Sequence, residues 1–159
     1  MRFLPTSPDE FRYARLDGRI EASAGALVPV EIAVPRYEVE QFHERAKEVP
    51  LPRRGTGRID SAADVSCVKM EIVEYLRVPQ IGTQLVNTAA GSVHRGVYPI
   101  TVTVGWDSEN PPDAIDIQVI AMGIRGVDML IGRDVLRLGE LVWYGPDARF
   151  EWVLPRGRG

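Results

Sequence analysis

The stretch Ile59-Asp60-Ser61-Ala62-Ala63-Asp64 is the part of this sequence best suited to chemistry. A hydrophobic strand delivers a carboxylate straight into a turn of very small residues, and small residues let backbone approach backbone or ligand closely. A carboxylate in such a place can act as a general base on water or as an acid toward a carbonyl. Taken alone, the hexapeptide reads more simply as a strand-to-helix turn with Asp60 or Asp64 capping the helix. A second stretch changes the balance. Asp128-Met129-Leu130-Ile131 runs as an apolar strand into Gly132-Arg133-Asp134, 72 positions after Asp60 (132 − 60).

The remaining reactive side chains have plainer readings. His43 sits beside an apolar helical stripe as a solvated residue, and no Asp or Ser partner for it can be placed. His94 reads as an exposed strand position just past a hairpin tip. Cys67, at the start of an expected helix, reads as a buried structural thiol. Trp106, Trp143 and Trp152 are expected in core or dimer packing, and Met122 and Met129 as core filler. Two His and one Cys give no metal site within one chain and no internal disulfide, and no cofactor is expected.

Bulk properties exclude further classes. The chain has 159 residues, 45% hydrophobic and 26% charged, enough for one domain with a real core. A net charge of −3 and a pI near 5.5 are not the footprint of a nucleic-acid binder. The basic cluster Arg53-Arg54 through Arg58 reads as a solvated loop. The N-terminus has no apolar stretch of signal-peptide length, and no apolar run approaches a membrane span. No membrane partner is therefore expected, and the expected setting is a reducing one, the cytoplasm.

The elements that must position Asp60 are mostly short strands. Val28, Val30, Ile32 and Val34 alternate along Leu27–Val34, and Pro29 marks that strand as an edge or terminal one. Pro35 opens a helix to about Lys47, with Val39, Phe42 and Ala46 as its apolar stripe. Val49–Gly57 reads as a loop and Cys67–Val78 as a helix stopped by Pro79. Extended runs at Thr83–Thr88 and Val93–Val104 flank a hairpin tip at Ala89-Ala90-Gly91-Ser92. Ala114–Met122 and Val127–Ile131 read as strands, Arg133–Leu138 as one or two helical turns. Glu140–Tyr144 and Ala148–Leu154 form a closing hairpin. The first two dozen residues stay open. Ser7-Pro8 could start a helix, while Asp17-Gly18 could turn a hairpin between Phe11–Leu16 and Arg19–Ala22, the reading preferred here.

In order and spacing, Asp60-Ser61-Ala62-Ala63 followed by Ile131-Gly132-Arg133-Asp134 resembles the retropepsin-like aspartic proteases of the bacterial, single-domain, dimeric type. The similarity extends over residues 24–155. It implies a mainly β, retropepsin-like (acid protease) closed barrel with two or three short helices. Residues 1–23 would be an N-terminal arm or extra hairpin, and 156–159 a tail. It implies an aspartic endopeptidase, and one Asp motif per chain requires a homodimer. Asp60 and Ser61 would be catalytic, the Ser61 hydroxyl bridging the two loops. Ala62 and Ala63 would face a peptide or protein substrate, beneath a flap formed by Thr88, Ala89, Ala90, Gly91 and Ser92. Asp64, Gly132, Arg133 and Asp134 would brace the loop, with a buried or semi-buried Asp64–Arg133 pair. The family has Gly where this chain has Ala62, so the alternative is a catalytically silent module that binds peptide or only dimerises.

Overall fold

The computed structural model describes residues 12–157. Strand predominates, with three short helices among the described residues. The strands are β1 (Tyr13–Glu21), β2 (Gly25–Ala33), β3 (Arg53–Ile59), β4 (Cys67–Lys69), β5 (Gly82–Thr88), β6 (Gly91–Val104), β7 (Ile115–Met122), β8 (Met129–Ile131), β9 (Glu140–Tyr144) and β10 (Arg149–Pro155). The helices are α1 (Arg36–Glu44), α2 (Met70–Leu76) and α3 (Arg133–Leu136).

Six strands form a ring in the order β2-β3-β8-β4-β7-β6, and β6 closes it by pairing back onto β2. β5 extends the sheet outward from β6, and β1, β10 and β9 extend it from β2. Alternation explains the inside of the ring. Val28, Val30 and Ile32 of β2 and Ile100, Val102 and Val104 of β6 point inward at 4% exposure or less. Val68, Val119, Met129 and Ile131 join them, and Phe150, Trp152 and Leu154 extend the same core under β1. Each such side chain contributes about 1.5–3 kcal/mol on leaving water.

Several expectations need correction. Asp17-Gly18 does not turn a hairpin. β1 runs straight through it and pairs with β10 from Tyr13↔Pro155 to Arg19↔Arg149. Gly18 is there because the Phe150 ring lies over it: an added Cβ would meet that ring at 2.3 Å. The helix start at Ser7-Pro8 lies outside the described residues. Residues 53–57 belong to β3, not to a loop, and pair with β2. Their glycines serve close approach, since a Cβ on Gly55 would strike the Asp128 carboxylate and one on Gly57 the side chains of Val30 and Ile131. Nor are the arginines of this stretch merely solvated. Arg54 bonds Glu31 at 2.8 Å and stacks over Trp106 at 3.8 Å, while Arg53 lies 4.9 Å from the Tyr75 ring.

Pro29 does not mark an edge, for β2 pairs with β1, β3 and β6. The ring is tolerated because Pro29 falls between the stretch paired with β1 (Gly25–Ala26) and the stretch paired with β6 (Val30–Ala33). Its carbonyl accepts from Gly105 N at 2.7 Å. α1 ends at Glu44, three residues early, where Ala46 takes a left-handed φ of 50°. Cys67–Val78 is not one helix. Cys67 and Val68 are both buried because β4 is flanked by β7, parallel, and β8, antiparallel, so it shows no amphipathic alternation. Of the expected tip, only Ala89-Ala90 forms the turn, and Gly91 and Ser92 already pair within β6. No helix among the described residues is long and apolar enough to cross a membrane.

The Gly18–Phe150 contact gives a stability test. Gly18→Ala is expected to lower unfolding free energy by about 1–3 kcal/mol through overpacking, read as a reduced urea midpoint. An unchanged midpoint would mean that the Phe150 ring moves aside freely.

A candidate active site at the end of β3

β3 and β8 run side by side in parallel, Gly57↔Met129 through Ile59↔Ile131, and both chains leave the sheet at the same end. Asp60 N donates to the Ile131 carbonyl at 2.9 Å, one further rung of that ladder. The chain then turns. Ala63 N donates to the Asp60 carbonyl at 3.2 Å, and Ala62 N to Asp60 Oδ1 at 3.1 Å. Asp60 is half-buried, whereas Ser61 and Ala62 are exposed. Ala62 lies outside the left-handed backbone region, so this turn does not require glycine there.

The loop from Asp60 to Ser66 crosses the start of α3, and the crossing is tight. A Cβ on Gly132 would lie 2.8 Å from the Val65 carbonyl carbon and 2.9 Å from the Ala63 carbonyl oxygen. Only a residue without a side chain fits. Arg133 N donates to the Ala63 carbonyl at 2.9 Å.

Ser66 locks the crossing. Its hydroxyl donates to Asp134 Oδ1 at 2.7 Å and accepts from Gly132 N at 2.9 Å. Its backbone N–H donates to Asp134 Oδ2 at 3.0 Å, and Val135 N donates to Asp134 Oδ1 at 2.9 Å. Both carboxylate oxygens of Asp134 are thus engaged, and Ser66 itself is fully buried. Bonds to a carboxylate in such surroundings are among the stronger ones available to a protein.

Arg133 supports the loop from outside. Its Nη1 donates to the Ser61 carbonyl at 2.8 Å, and Nη2 pairs with Asp64. The pair is not buried, however: the two side chains are 54% and 76% exposed. The reason is position, since both project from the outer side of the crossing. At that exposure the ion pair contributes about 0–1 kcal/mol. Its bond to the Ser61 carbonyl is the more specific contact.

Asp60, Ser61, Ala62, Ala63, Asp64, Gly132, Arg133 and Asp134 are therefore brought together. The hairpin residues Thr88, Ala89, Ala90, Gly91 and Ser92 stand apart on an exposed tip, and no hydrogen bond among the described residues joins them to the Asp60 loop. The tip holds itself. Thr88 Oγ1 donates to the Gly91 carbonyl at 2.7 Å and Ser92 Oγ to Asn87 Oδ1 at 2.7 Å. Gly91, at φ 119°, takes a conformation that side chains disfavour.

Two residues that shape the site escaped the sequence reading. Ser66 precedes the segment read as a helix, and its partners Gly132 and Asp134 lie far along the chain. In the sequence Asp128 is simply the residue ahead of an apolar strand, yet it ties three strands together. Its Oδ2 accepts from Thr56 N at 2.9 Å and its Oδ1 pairs with Lys69 at 3.3 Å. The usable signal for Asp128 was a charged residue immediately before a buried strand, opposite the glycines of β3.

Cys67 is buried beside this network, its Sγ near the Val65 carbonyl at 3.6 Å. Burial, and then the neighbouring Asp134 and Asp60, push its thiol up from near 9 to about 11. It is a structural thiol at the head of a strand. Among the described residues no three His, Cys, Asp or Glu side chains are grouped to hold a metal ion. Comparison with protein-family models and with curated proteins finds no match for this chain.

Two outcomes are expected. Ser66→Ala strands the Gly132 N–H and removes one of the two bonds to Asp134 Oδ1, and should cost about 1–3 kcal/mol, read from chemical denaturation. A loss below a few tenths would mean water replaces the hydroxyl. The raised Cys67 thiol stays protonated in the folded state when the unfolded thiol has ionised. Its contribution is complete below about 9 and is lost as pH rises toward about 11. Thiol reagents should therefore react slowly with native protein at mildly alkaline pH and rapidly once it is unfolded; equal rates would refute the assignment.

Proposed function

We propose that this chain is an aspartic endopeptidase of the retropepsin-like class, acting as a homodimer in which each copy supplies one Asp60. The observation that carries the reading is the loop itself: a half-buried carboxylate at a strand end, fixed by crossing of the 60–66 segment with Gly132 and by the Ser66–Asp134 lock. Preorganisation of that kind is what carboxylate chemistry on a peptide needs. In this reading the six-stranded ring is the closed barrel of that class, and the cytoplasm is its setting.

Two such carboxylates about a twofold axis share one proton, because like charges in contact do not both ionise readily. The ionised member takes a proton from water as that water attacks the peptide carbonyl carbon. The protonated member hydrogen-bonds the carbonyl oxygen and gives it a proton. Collapse of the tetrahedral adduct breaks the C–N bond, and the departing nitrogen is protonated by the dyad. The pair titrates as a unit. Ser61 would hydrogen-bond across the two loops, and Ala62 and Ala63 would offer backbone groups to substrate. The β5–β6 hairpin would lie over an extended peptide, Thr88 through Ser92 forming its tip, with main-chain bonds as in strand addition.

Ala62 favours one alternative, a catalytically silent module that binds peptide or only dimerises. Its methyl is exposed on the turn where substrate would approach. Against this, its backbone is unstrained and its N–H already organises Asp60.

Peptide-library cleavage from acidic to neutral pH, with Asp60→Asn in parallel, separates the two. Wild type should cut, and the variant should lose activity by at least about 10³-fold, as removal of a catalytic group typically causes. If neither cuts while sedimentation gives a dimer, the silent module replaces the protease.

A further inference from the structure

A cavity of about 360 Å³ lies between α1 and the segment that follows α2. It contains no residue of the Asp60 loop, and its size falls within the range of small-ligand sites, roughly 300–1,000 Å³. Its apolar wall is Phe42, 8% exposed, together with Pro79. Arg45, Lys47 and Arg77 line it as well, with Glu38 as the one carboxylate. Three cations against one anion stand out in a chain whose net charge is −3.

Both helices beside this cavity end in left-handed residues. Among the described residues three non-glycine residues have positive φ, and two of them are here. Arg77, at φ 52°, closes α2, and Ala46, at φ 50°, separates Arg45 from Lys47. A left-handed residue is a common way to end a helix, and the turns made here leave Arg45, Lys47 and Arg77 lining one cavity. Arg77 Nη2 donates to the Glu48 carbonyl at 3.2 Å, and its guanidinium carbon lies 5.7 Å from the Phe42 ring centre. That anchors the guanidinium over the apolar wall while leaving its other N–H groups for a ligand. Among the described residues, Arg45 and Lys47 have no ion-pair partner.

We infer that this cavity is a binding site for a small organic anion, a phosphate or carboxylate carried on a flat apolar body. The body lies against Phe42 and Pro79, and the anionic head is met by Arg77, Arg45 and Lys47. The site is separate from Asp60 and does not rest on the protease reading.

The test is calorimetric titration of the intact protein with phenyl phosphate and with benzoate, inorganic phosphate serving as the control without an apolar body. Saturable binding that weakens with added salt is expected, with phenyl phosphate tighter than inorganic phosphate. The tighter of the two organic probes identifies the head group. Arg77→Gly is the informative variant, because glycine takes the left-handed conformation freely and the fold is kept. It should weaken binding by about tenfold or more, the value of a charge-assisted hydrogen bond. Glu38→Gln should tighten binding, and Asp60→Asn should leave it as in wild type. Wild-type affinity in both Arg77→Gly and Lys47→Gln, or no saturation by either organic probe up to about 10 mM, overturns the inference.

Discussion

Where the chain from β3 to β4 passes the chain from β8 to α3, there is room for two backbones and one hydroxyl. Gly132 provides the room and Ser66 the hydroxyl, which donates to Asp134 and accepts from Gly132 N. Everything that makes Asp60 a candidate depends on this crossing. The rung from Asp60 N to Ile131, the bond from Arg133 N to Ala63 and the Arg133 guanidinium on Ser61 all need the two segments at that separation. A methyl group on Gly132 would push apart backbone atoms, and backbone has no rotamer with which to yield.

β8 has only three residues, too few to hold its place by ladder bonds alone. It is fixed by a carboxylate just beyond each end. Asp128 joins it to β3 and β4 through Thr56 N and Lys69, and Asp134 joins it to the Asp60 loop through Ser66. Half-buried acids satisfied by backbone N–H groups act as rigid connectors, because bonds to a charged acceptor resist bending more than neutral ones. The ring of strands is thus clamped at its narrowest member, and the clamp nearest Asp60 is the more buried.

How much of this was legible depended on which physical signal dominated each segment. β2 and β7 show clear alternation and β6 reads as an extended run, and all three form strands, as do both arms of the closing β9–β10 hairpin. The positions of Asp60 and of Gly132-Arg133-Asp134 were read from residue type and order, and the structure brings them together. The differences share a cause: glycine and burial act here as tertiary signals, not local ones. Gly18, Gly55 and Gly57 looked like turn and loop residues, but each makes room for a side chain from elsewhere in the chain. Cys67-Val68, buried on both faces, lost the alternation that marks a strand. Pro29 looked like an edge marker because sequence does not reveal that neighbouring strands stop on either side of it. Ser66 carried no local sign at all, since its partners lie 66 and 68 positions away.

β6 belongs to two different environments along its length. From Val97 to Val104 it is a member of the ring, bonded to β7 and β2, whereas from Gly91 to Gly96 its one partner in the sheet is β5. Most of the outer ribbon is exposed, including Leu85 and Val93. A two-stranded ribbon without a buried face is marginal in water, while the inner half shares the cooperativity of the core. One continuous strand therefore spans a gradient of opening free energies, and the ribbon can part from its mean position and return while the ring beneath it stays closed.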